Sequence, residues 1–158
     1  MRVDGKAIAE QILTDLVREV VKLKKKGVTP TLAVIQVGDD PGSTAYIRQK
    51  QKAAEKIGAS LILSHQPACR QGRSSAVSCQ QIQSIVEKYN TDPAIHGLIL
   101  QRPLPEPLAA ETLALCSTIQ LSKDVDGFLP NSPYPVPVAS AVLEILQVTF
   151  SLITYRLS

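Results

Sequence analysis

The sequence has few aromatic residues and no long apolar segment. Its 158 residues include four tyrosines, two phenylalanines and no tryptophan, and 17 basic against 14 acidic side chains give a net charge of +3. With so few rings, and with no basic stripe beyond a lysine cluster at 22–26, a nucleic-acid-binding surface is disfavoured. No stretch approaches the roughly 20 apolar residues of a membrane span. Neither nucleic acid nor membrane is therefore an expected partner.

Cysteine and histidine are also scarce. The cysteines, Cys69, Cys79 and Cys116, are odd in number and form no C-x-x-C pair, and neither His65 nor His96 has metal-ligand spacing. These features disfavour a disulfide framework and a metal site, and both histidines are expected to be structural. The N-terminal segment MRVDGKAIAE lacks the apolar run of a signal peptide. We therefore predict a cytoplasmic protein without a metal.

Helical and strand patterns alternate along the chain. Apolar residues recur at near-helical spacing from Asp4 onwards, and this first helix is predicted to stop at Gly27. Continuous apolar runs predict buried strands in TLAVIQVG (31–38), SLILSH (60–65) and HGLILQ (96–101). Further helices are predicted at 43–58, 82–89, 109–115 and 139–146.

This alternation predicts an α/β fold of three layers, in which helices cover both faces of a mainly parallel sheet. The pattern fits a single domain over residues 1–146. Residues 147–158 fit no clear pattern. Ser43 or Thr44 is expected to cap the second helix, and Gly58 to end it.

Polar segments follow the first and third predicted strands. They are GDDPGSTAYIRQK and QRPLP, and KDVDGF (123–128) comes later. Ligands of parallel sheets bind beyond the carboxyl ends of the strands, so neighbouring strands would bring Lys50, Gln101 and either Asp124 or Asp126 into one cleft. A partly desolvated amine can transfer protons near neutral pH, and a carboxylate can accept paired N–H groups from a heterocycle.

Each of these residues also has a structural interpretation. Tyr46 and Lys50 lie one helical turn apart, where a half-buried ring and a solvated amine are common. Gln101 would suit a strand end, and Asp124 and Asp126 would suit a turn. The residues alone therefore predict a small-molecule cleft without identifying its ligand.

Four blocks of the sequence resemble the bifunctional methylenetetrahydrofolate dehydrogenase/methenyltetrahydrofolate cyclohydrolase family. They are VDGKAIAEQI, VIQVGDDPGSTAYIRQKQKAAEKIG, YNTDPAIHGLILQRPLP and KDVDGFLP. Their order and spacing are similar to the family's over about residues 2–146. The resemblance implies one-carbon folate metabolism: NAD(P)-dependent oxidation of 5,10-methylenetetrahydrofolate, and hydrolysis of 5,10-methenyltetrahydrofolate to 10-formyltetrahydrofolate. Tetrahydrofolate derivatives are thus the expected ligands.

The resemblance also implies a catalytic group of three residues. Lys50 would be the central catalytic residue, needed chiefly for hydrolysing the methenyl bridge and for positioning the one-carbon unit. Gln101 would hydrogen-bond to that lysine and tune it. Tyr46 would stack on the aminobenzoate ring of the folate.

Three more residues would bind the substrate if the resemblance holds. Asp126 would hold the pterin ring, Pro103 would shape the folate wall, and Ser43 would lie at the start of the helix beside the same cleft. The family has Q-L-P-L where this chain has Q-R-P-L, so Arg102 introduces a charge beside that wall.

The sequence contains no glycine after Gly127. Family members continue into a Rossmann-type domain, whose glycine-rich turn holds the nicotinamide cofactor and through which they usually form homodimers. QVTFSLITYRLS cannot make such a turn, so we expect residues 147–158 to lie where that domain would begin, and no NADP site in this chain. Two alternatives stay open: a non-catalytic folate- or partner-binding module, and a fragment of a complete enzyme.

We expect the 158-residue chain by itself not to reduce NADP in the presence of 5,10-methylenetetrahydrofolate, because hydride transfer needs a bound cofactor. Hydrolysis of the methenyl compound is expected to be weak or absent, since one wall of the cleft normally faces the cofactor domain. The absorbance of NADPH tests the first expectation, with a full-length family member as positive control. NADPH formation that depends on this chain would contradict it.

Overall fold

The computed structural model describes residues 3–68 and 77–157, with side chains as far as residue 150. In this part of the chain the strands are β1 (Thr31–Val37), β2 (Ser60–Gln66) and β3 (Gly97–Leu100). The α-helices are α1 (Gly5–Lys25), α2 (Pro41–Ile57), α3 (Cys79–Thr91), α4 (Thr112–Cys116) and α5 (Pro137–Leu157). Short 3-10 helices lie at Leu108–Glu111 and Leu121–Lys123. Cys69 and the polar loop predicted at 69–75 lie outside the described residues.

The strands form one parallel sheet in the order β2–β1–β3. The central strand, β1, pairs through Ile35 with Ser64 of β2 on one side and with Leu100 of β3 on the other. The predicted parallel α/β sheet is therefore confirmed. Because β1 and β3 are neighbours, the segments that follow them leave the sheet at the same edge.

Helices cover both faces of the sheet, as predicted. On one face, Ile35 belongs to a buried cluster with Ile82 of α3 and Leu115 of α4. On the other face, Val34 packs with Ile47 of α2. Successive strand residues point to opposite faces, so a strand buried on both sides must be apolar throughout, as β1 is.

The second strand differs from the prediction. It was expected to be buried, but Ile62 and Leu63 are 42% and 44% exposed. Within the described sheet, β2 pairs with β1 alone and forms an edge. Its apolar composition could not reveal this position, because strand order depends on contacts distant in the sequence.

The helix ends follow local chemistry, with one correction. Asp4 caps α1, and Gly58 ends α2 as expected, with a φ of 81°. The residue that caps α2 is Asp40, not Ser43 or Thr44: its carboxylate accepts a hydrogen bond of 2.7 Å from the Ser43 amide. Pro41 occupies the first turn, where its missing N–H costs nothing.

The last helix is longer than predicted. α5 runs without a break from Pro137 to Leu157, so residues 147–157 are helical rather than unpatterned. Apolar residues occupy several sides of this helix, and Leu143 and Phe150 are 56% and 62% exposed. A single amphipathic stripe, which sequence periodicity detects, is therefore absent from this segment. Within the described residues, no helix is both long and apolar enough to cross a membrane.

A close contact ties β3 to the segment that carries Asp126. A Cβ on Gly97 would lie 2.8 Å from Cγ1 of Val125 and 3.3 Å from Cδ1 of Leu32. Contacts this short leave no room for a methyl group. Gly97 therefore allows Val125 to rest against β3, and this contact sets the position of the following residue, Asp126.

Replacing Gly97 with alanine should lower the free energy of unfolding by about 1–3 kcal/mol, because Val125 must move. The matched control is Gly5→Ala in the first turn of α1, where an added Cβ meets nothing within 4 Å. That variant should be stabilised by up to about 1 kcal/mol. Urea unfolding measures both, and an equal effect of the two substitutions would contradict the proposed packing constraint.

Candidate active site

The polar segments after β1 and β3 meet at one edge of the sheet. The backbone N–H of Gln101 donates a hydrogen bond of 2.8 Å to the carbonyl oxygen of Ile35, which extends the ladder between these strands. The turn that begins at Gly38 and the segment that begins at Gln101 therefore start side by side. This is the adjacency that the predicted cleft requires.

Ser43 connects α2 to the segment after β3. Its side chain is 4% exposed, and its hydroxyl donates to the carbonyl oxygen of Arg102 at 3.3 Å. The cap at Asp40 fixes the first turn of α2 and thereby the position of Ser43. Ser43 thus lies in the first turn of α2 beside the segment after β3, and its hydroxyl is already engaged with the protein backbone.

Tyr46 lies on α2, one turn before Lys50, and is 69% exposed. The interpretation of Tyr46 as a half-buried ring is therefore wrong. The neighbouring residue, Ile47, is 2% exposed and anchors the opposite side of the helix in the core. A ring that projects from a fixed helix can stack on a flat ligand without having to break packing contacts first.

Lys50 and Gln101 are in direct contact. The ammonium nitrogen Nζ of Lys50 lies 3.2 Å from the amide oxygen Oε1 of Gln101. The other end of the amide, Nε2, donates to the carbonyl oxygen of Arg102 at 2.8 Å. This second bond orients the Gln101 side chain so that its oxygen faces the lysine. Residues 51 positions apart thus form one hydrogen-bonded unit.

Partial burial lowers the pKa of Lys50 below its ordinary value. The carboxylate of Asp126 acts in the opposite direction and raises this pKa, while the charge of Arg102 lowers it. Lys50 also lines an apolar cavity of about 380 Å³ together with Leu16 and Ile57. That cavity extends from Lys50 towards the amino ends of β1 and β3, and neither Gln101 nor Asp126 lines it. A lysine in this setting loses its proton more readily than a solvated one.

The two aspartates of the DVDG segment have different environments. Asp124 is 1% exposed, and its carboxylate accepts hydrogen bonds from the amides of Phe128 and Leu129 at 3.2 and 2.9 Å. It is the turn-forming residue that the structural interpretation anticipated. The Asp126 side chain is 26% exposed and pairs with Arg102 at 3.1 Å. Of the two, Asp126 is the one that faces the cleft residues.

Arg102 and Phe128 complete this edge of the site. The Cζ atom of Arg102 lies 4.5 Å from the centroid of the Phe128 ring, within cation–π distance. The sequence analysis noted Arg102 as a departure from the family but did not single out Phe128. The one sequence signal for Phe128 is its position directly after the DVDG segment. Pro103 is exposed and follows a cis peptide bond, and Leu104, next to it, is buried.

Both histidines hydrogen-bond to the backbone of segments distant in the sequence. Nδ1 of His96 accepts from the amide of Thr31 at 3.2 Å, and Nε2 of His65 lies 3.0 Å from the carbonyl oxygen of Gly38. Cys79 and Cys116 are free thiols. Among the described residues, no group of three or more His, Cys, Asp or Glu side chains could hold a metal ion.

The turn between β1 and α2 contains Gly38 but does not suit a dinucleotide. A phosphate at this position would bind to the free amides at the helix N-terminus. Oδ2 of Asp40 already accepts the Ser43 amide there, at 2.7 Å, and Asp39 adds a second negative charge. A pyrophosphate would therefore meet repulsion at this turn, and its residues do not fit the phosphates of a nicotinamide cofactor.

The chain is similar in sequence to one family. The family model described as "Tetrahydrofolate dehydrogenase/cyclohydrolase, catalytic domain" matches residues 3–126. The bifunctional protein FolD of Halalkalibacterium halodurans is 45% identical over 129 residues, which are 82% of this chain and 43% of that protein. FolD of Bacillus subtilis is 42% identical over 128 residues, or 81% of this chain and 42% of that protein. The chain thus spans less than half the length of these relatives.

Solved structures show the same fold. The Trypanosoma brucei methylenetetrahydrofolate dehydrogenase-cyclohydrolase, solved in complex with NADP and an inhibitor, has a TM-score of 0.84 and is 30% identical. The match covers 94% of this chain and 52% of that one. The Campylobacter jejuni enzyme has a TM-score of 0.82 at 29% identity and covers 92% and 52%. The predicted fold and the resemblance are both confirmed.

The two charges around Lys50 should shift its pKa in opposite directions. Arg102→Leu should raise the pKa of Lys50, because it removes a nearby positive charge, and Asp126→Asn should lower it further. Titration of the Lys50 side chain by heteronuclear NMR measures both shifts. Arg48→Leu, an exposed site on the same helix, is the control and should cause no shift. Equal shifts in all three variants would contradict the described electrostatics.

Proposed function

The chain belongs to the tetrahydrofolate dehydrogenase/cyclohydrolase family, and on that premise we propose that its cleft binds reduced folates and carries the folate side of the family's reactions. The half-reaction that its own residues support best is hydrolysis of 5,10-methenyltetrahydrofolate to 10-formyltetrahydrofolate. The observation that carries the proposal is the Lys50–Gln101 contact of 3.2 Å at a partly buried amine.

The substrate would span the exposed edge from α2 to the DVDG turn. Its aminobenzoate ring would stack on Tyr46, whose exposure leaves the ring face accessible. Its pterin would lie towards Asp126, since a carboxylate can accept the adjacent N–H groups of that heterocycle as charge-assisted hydrogen bonds. Pro103 would form part of the wall between them. The bridging one-carbon unit, which lies between pterin and aminobenzoate, would then fall near Lys50.

Hydrolysis requires proton transfers that Lys50 is placed to perform. Water adds to the carbon that bridges N5 and N10, a C–O bond forms, and one proton of the water must leave. The carbon–N5 bond then breaks, N5 gains a proton, and the formyl group stays on N10. A neutral Lys50 accepts the first proton, the resulting ammonium can donate it to N5, and the remaining hydroxyl proton is released to solvent as the formyl C=O bond forms. The lowered pKa of Lys50 favours the neutral amine that accepts the first proton.

Gln101 acts on this cycle through Lys50. Its amide oxygen accepts a hydrogen bond from the lysine, and its amide nitrogen is held by the Arg102 carbonyl. The orientation of the amide is thus fixed before substrate binds, so little reorganisation is needed during reaction. We place Gln101 as the residue that positions Lys50 rather than as a second proton carrier.

For the oxidation, the same cleft would hold 5,10-methylenetetrahydrofolate. NADP, when bound, supplies the hydride acceptor in this chemistry. The described residues offer no fitting phosphate turn between β1 and α2, so the contribution of this chain to the oxidation is to bind the folate and to orient its one-carbon unit. Lys50 is the side chain placed to do the latter.

A non-catalytic folate-binding role is the second candidate. The observation that favours it is the Arg102–Asp126 ion pair, which engages the carboxylate on which the pterin would dock. Binding without turnover would retain the contacts of Tyr46 and Asp126 but would make no use of Lys50. The two candidates therefore differ in their dependence on that lysine.

We expect Lys50→Ala to lower the rate of methenyltetrahydrofolate hydrolysis by at least about 100-fold, because it removes the proton carrier. The matched control is Lys52→Ala, an exposed lysine on the same helix, which should leave the rate unchanged. Loss of substrate absorbance is followed with protein in excess over substrate, so that even slow turnover is detected.

The outcome separates the candidates. Hydrolysis that is lost in Lys50→Ala and retained in Lys52→Ala supports catalysis and would revise the expectation of weak activity for this chain. A wild-type rate no faster than buffer, in a protein that binds reduced folate, would favour the non-catalytic role. Circular dichroism on each variant confirms that it is folded.

A further inference from the structure

The guanidinium group of Arg102 is held between two groups of the cleft. Its Nη2 lies 3.1 Å from Oδ2 of Asp126, and its Cζ lies 4.5 Å from the centroid of the Phe128 ring. The side chains of Arg102 and Asp126 are 42% and 26% exposed, so the ion pair is at the surface of the cleft and not in the core. A ligand that enters the cleft can therefore reach it.

The backbone of Arg102 is fixed by residues of the same site. Its carbonyl oxygen accepts hydrogen bonds from the Ser43 hydroxyl at 3.3 Å and from the side-chain amide of Gln101 at 2.8 Å. The main chain at Arg102 cannot shift without breaking contacts that orient Gln101. The guanidinium can leave Asp126 only by rotation of its own side chain, which is flexible and requires no change in the fold.

The chemistry of Asp126 makes this contact important for binding. A heterocycle with two adjacent N–H donors pairs with both oxygens of a carboxylate. Arg102 already occupies Oδ2, and its planar group covers the neighbouring ring of Phe128. A pterin and the Arg102 side chain therefore compete for the same carboxylate.

We propose that Arg102 is a specificity-determining residue that acts as a displaceable latch on Asp126 and weakens the binding of pterin-containing ligands. This inference rests on the proposed folate function of the cleft. Ligands that do not use Asp126 would be unaffected by the latch. The chain would thus bind the two ends of a folate with unequal strength, favouring the aminobenzoate end.

The size of the effect follows from the exposure of the pair. Ion pairs with solvent access contribute little, because water and salt screen the charges. The latch should therefore reduce pterin affinity by about fivefold, a modest factor for such a pair. High salt should reduce the difference between the latched and unlatched proteins.

The test is calorimetric titration with 5-formyltetrahydrofolate, a stable reduced folate. Arg102→Leu should bind it about fivefold more tightly than wild type, because the pterin no longer has to displace the guanidinium. The matched control, Arg48→Leu, removes an exposed arginine of α2 and should bind like wild type. Thermal unfolding of both variants verifies that they are folded.

A second variant shows whether Arg102 acts through Asp126. In an Asp126→Asn background, Arg102→Leu should give no further gain in affinity, because the carboxylate for which the arginine and the pterin compete is absent. A third measurement uses 4-aminobenzoylglutamate, which lacks the pterin. Its affinity, measured by displacement, should be the same in wild type and Arg102→Leu.

The outcomes distinguish this inference from the function on which it rests. If wild type binds the reduced folate and Arg102→Leu binds it no more tightly, the latch is wrong while the folate site stands. Weaker binding of either ligand by Arg102→Leu would mean that the arginine contacts the ligand, which also overturns the latch. If no variant binds 5-formyltetrahydrofolate, the folate function and the latch fail together.

Discussion

The parallel pairing of β1 with β3 brings the segments after these strands to one edge of the sheet, and every contact of the cleft depends on it. The hydrogen bond from the backbone N–H of Gln101 to the Ile35 carbonyl sets where the third strand ends. Gln101 then points at Lys50 on α2, the helix that follows β1. Gly97 contributes to the same arrangement, because its missing side chain lets Val125 rest on β3 and brings Asp126 towards the cleft. A sheet with these strands apart would leave the lysine without its amide partner.

Electrostatic balance around Lys50 determines the chemistry available at this edge. Burial lowers the pKa of the amine, Asp126 raises it, and Arg102 lowers it again. The two charged neighbours also pair with each other, so a ligand that separates them alters the field at the lysine. In the proposed reaction, substrate binding and proton transfer would thereby be coupled through one ion pair. A neutral residue in place of Arg102 would leave burial alone to oppose the effect of Asp126 on the pKa of Lys50.

Much of the fold could be predicted from local patterns, and parts of the site could not. Asp4 and Gly58 mark helix ends because capping and left-handed glycine are properties of a few adjacent residues. The exposure of β2 depends on strand order, which no local pattern contains. Asp124 and Asp126 are two positions apart and chemically identical, so their different roles emerge only from the hydrogen bonds of Asp124 in the folded chain. The contact between Arg102 and Asp126 joins residues 24 positions apart and had no sequence signal.

A reduced folate is proposed to bind at the carboxyl ends of β1 and β3, between α2 and the DVDG turn. Backbone NMR of the labelled chain, titrated with 5-formyltetrahydrofolate, tests this binding site. We expect the amide signals that shift to belong to Tyr46, Lys50, Gln101 and Asp126 and to their sequence neighbours, while those of α5 and the outer side of β2 stay in place. Shifts confined to α5 or to the β2 edge, or no shift at a ligand concentration that saturates a full-length relative, would contradict it.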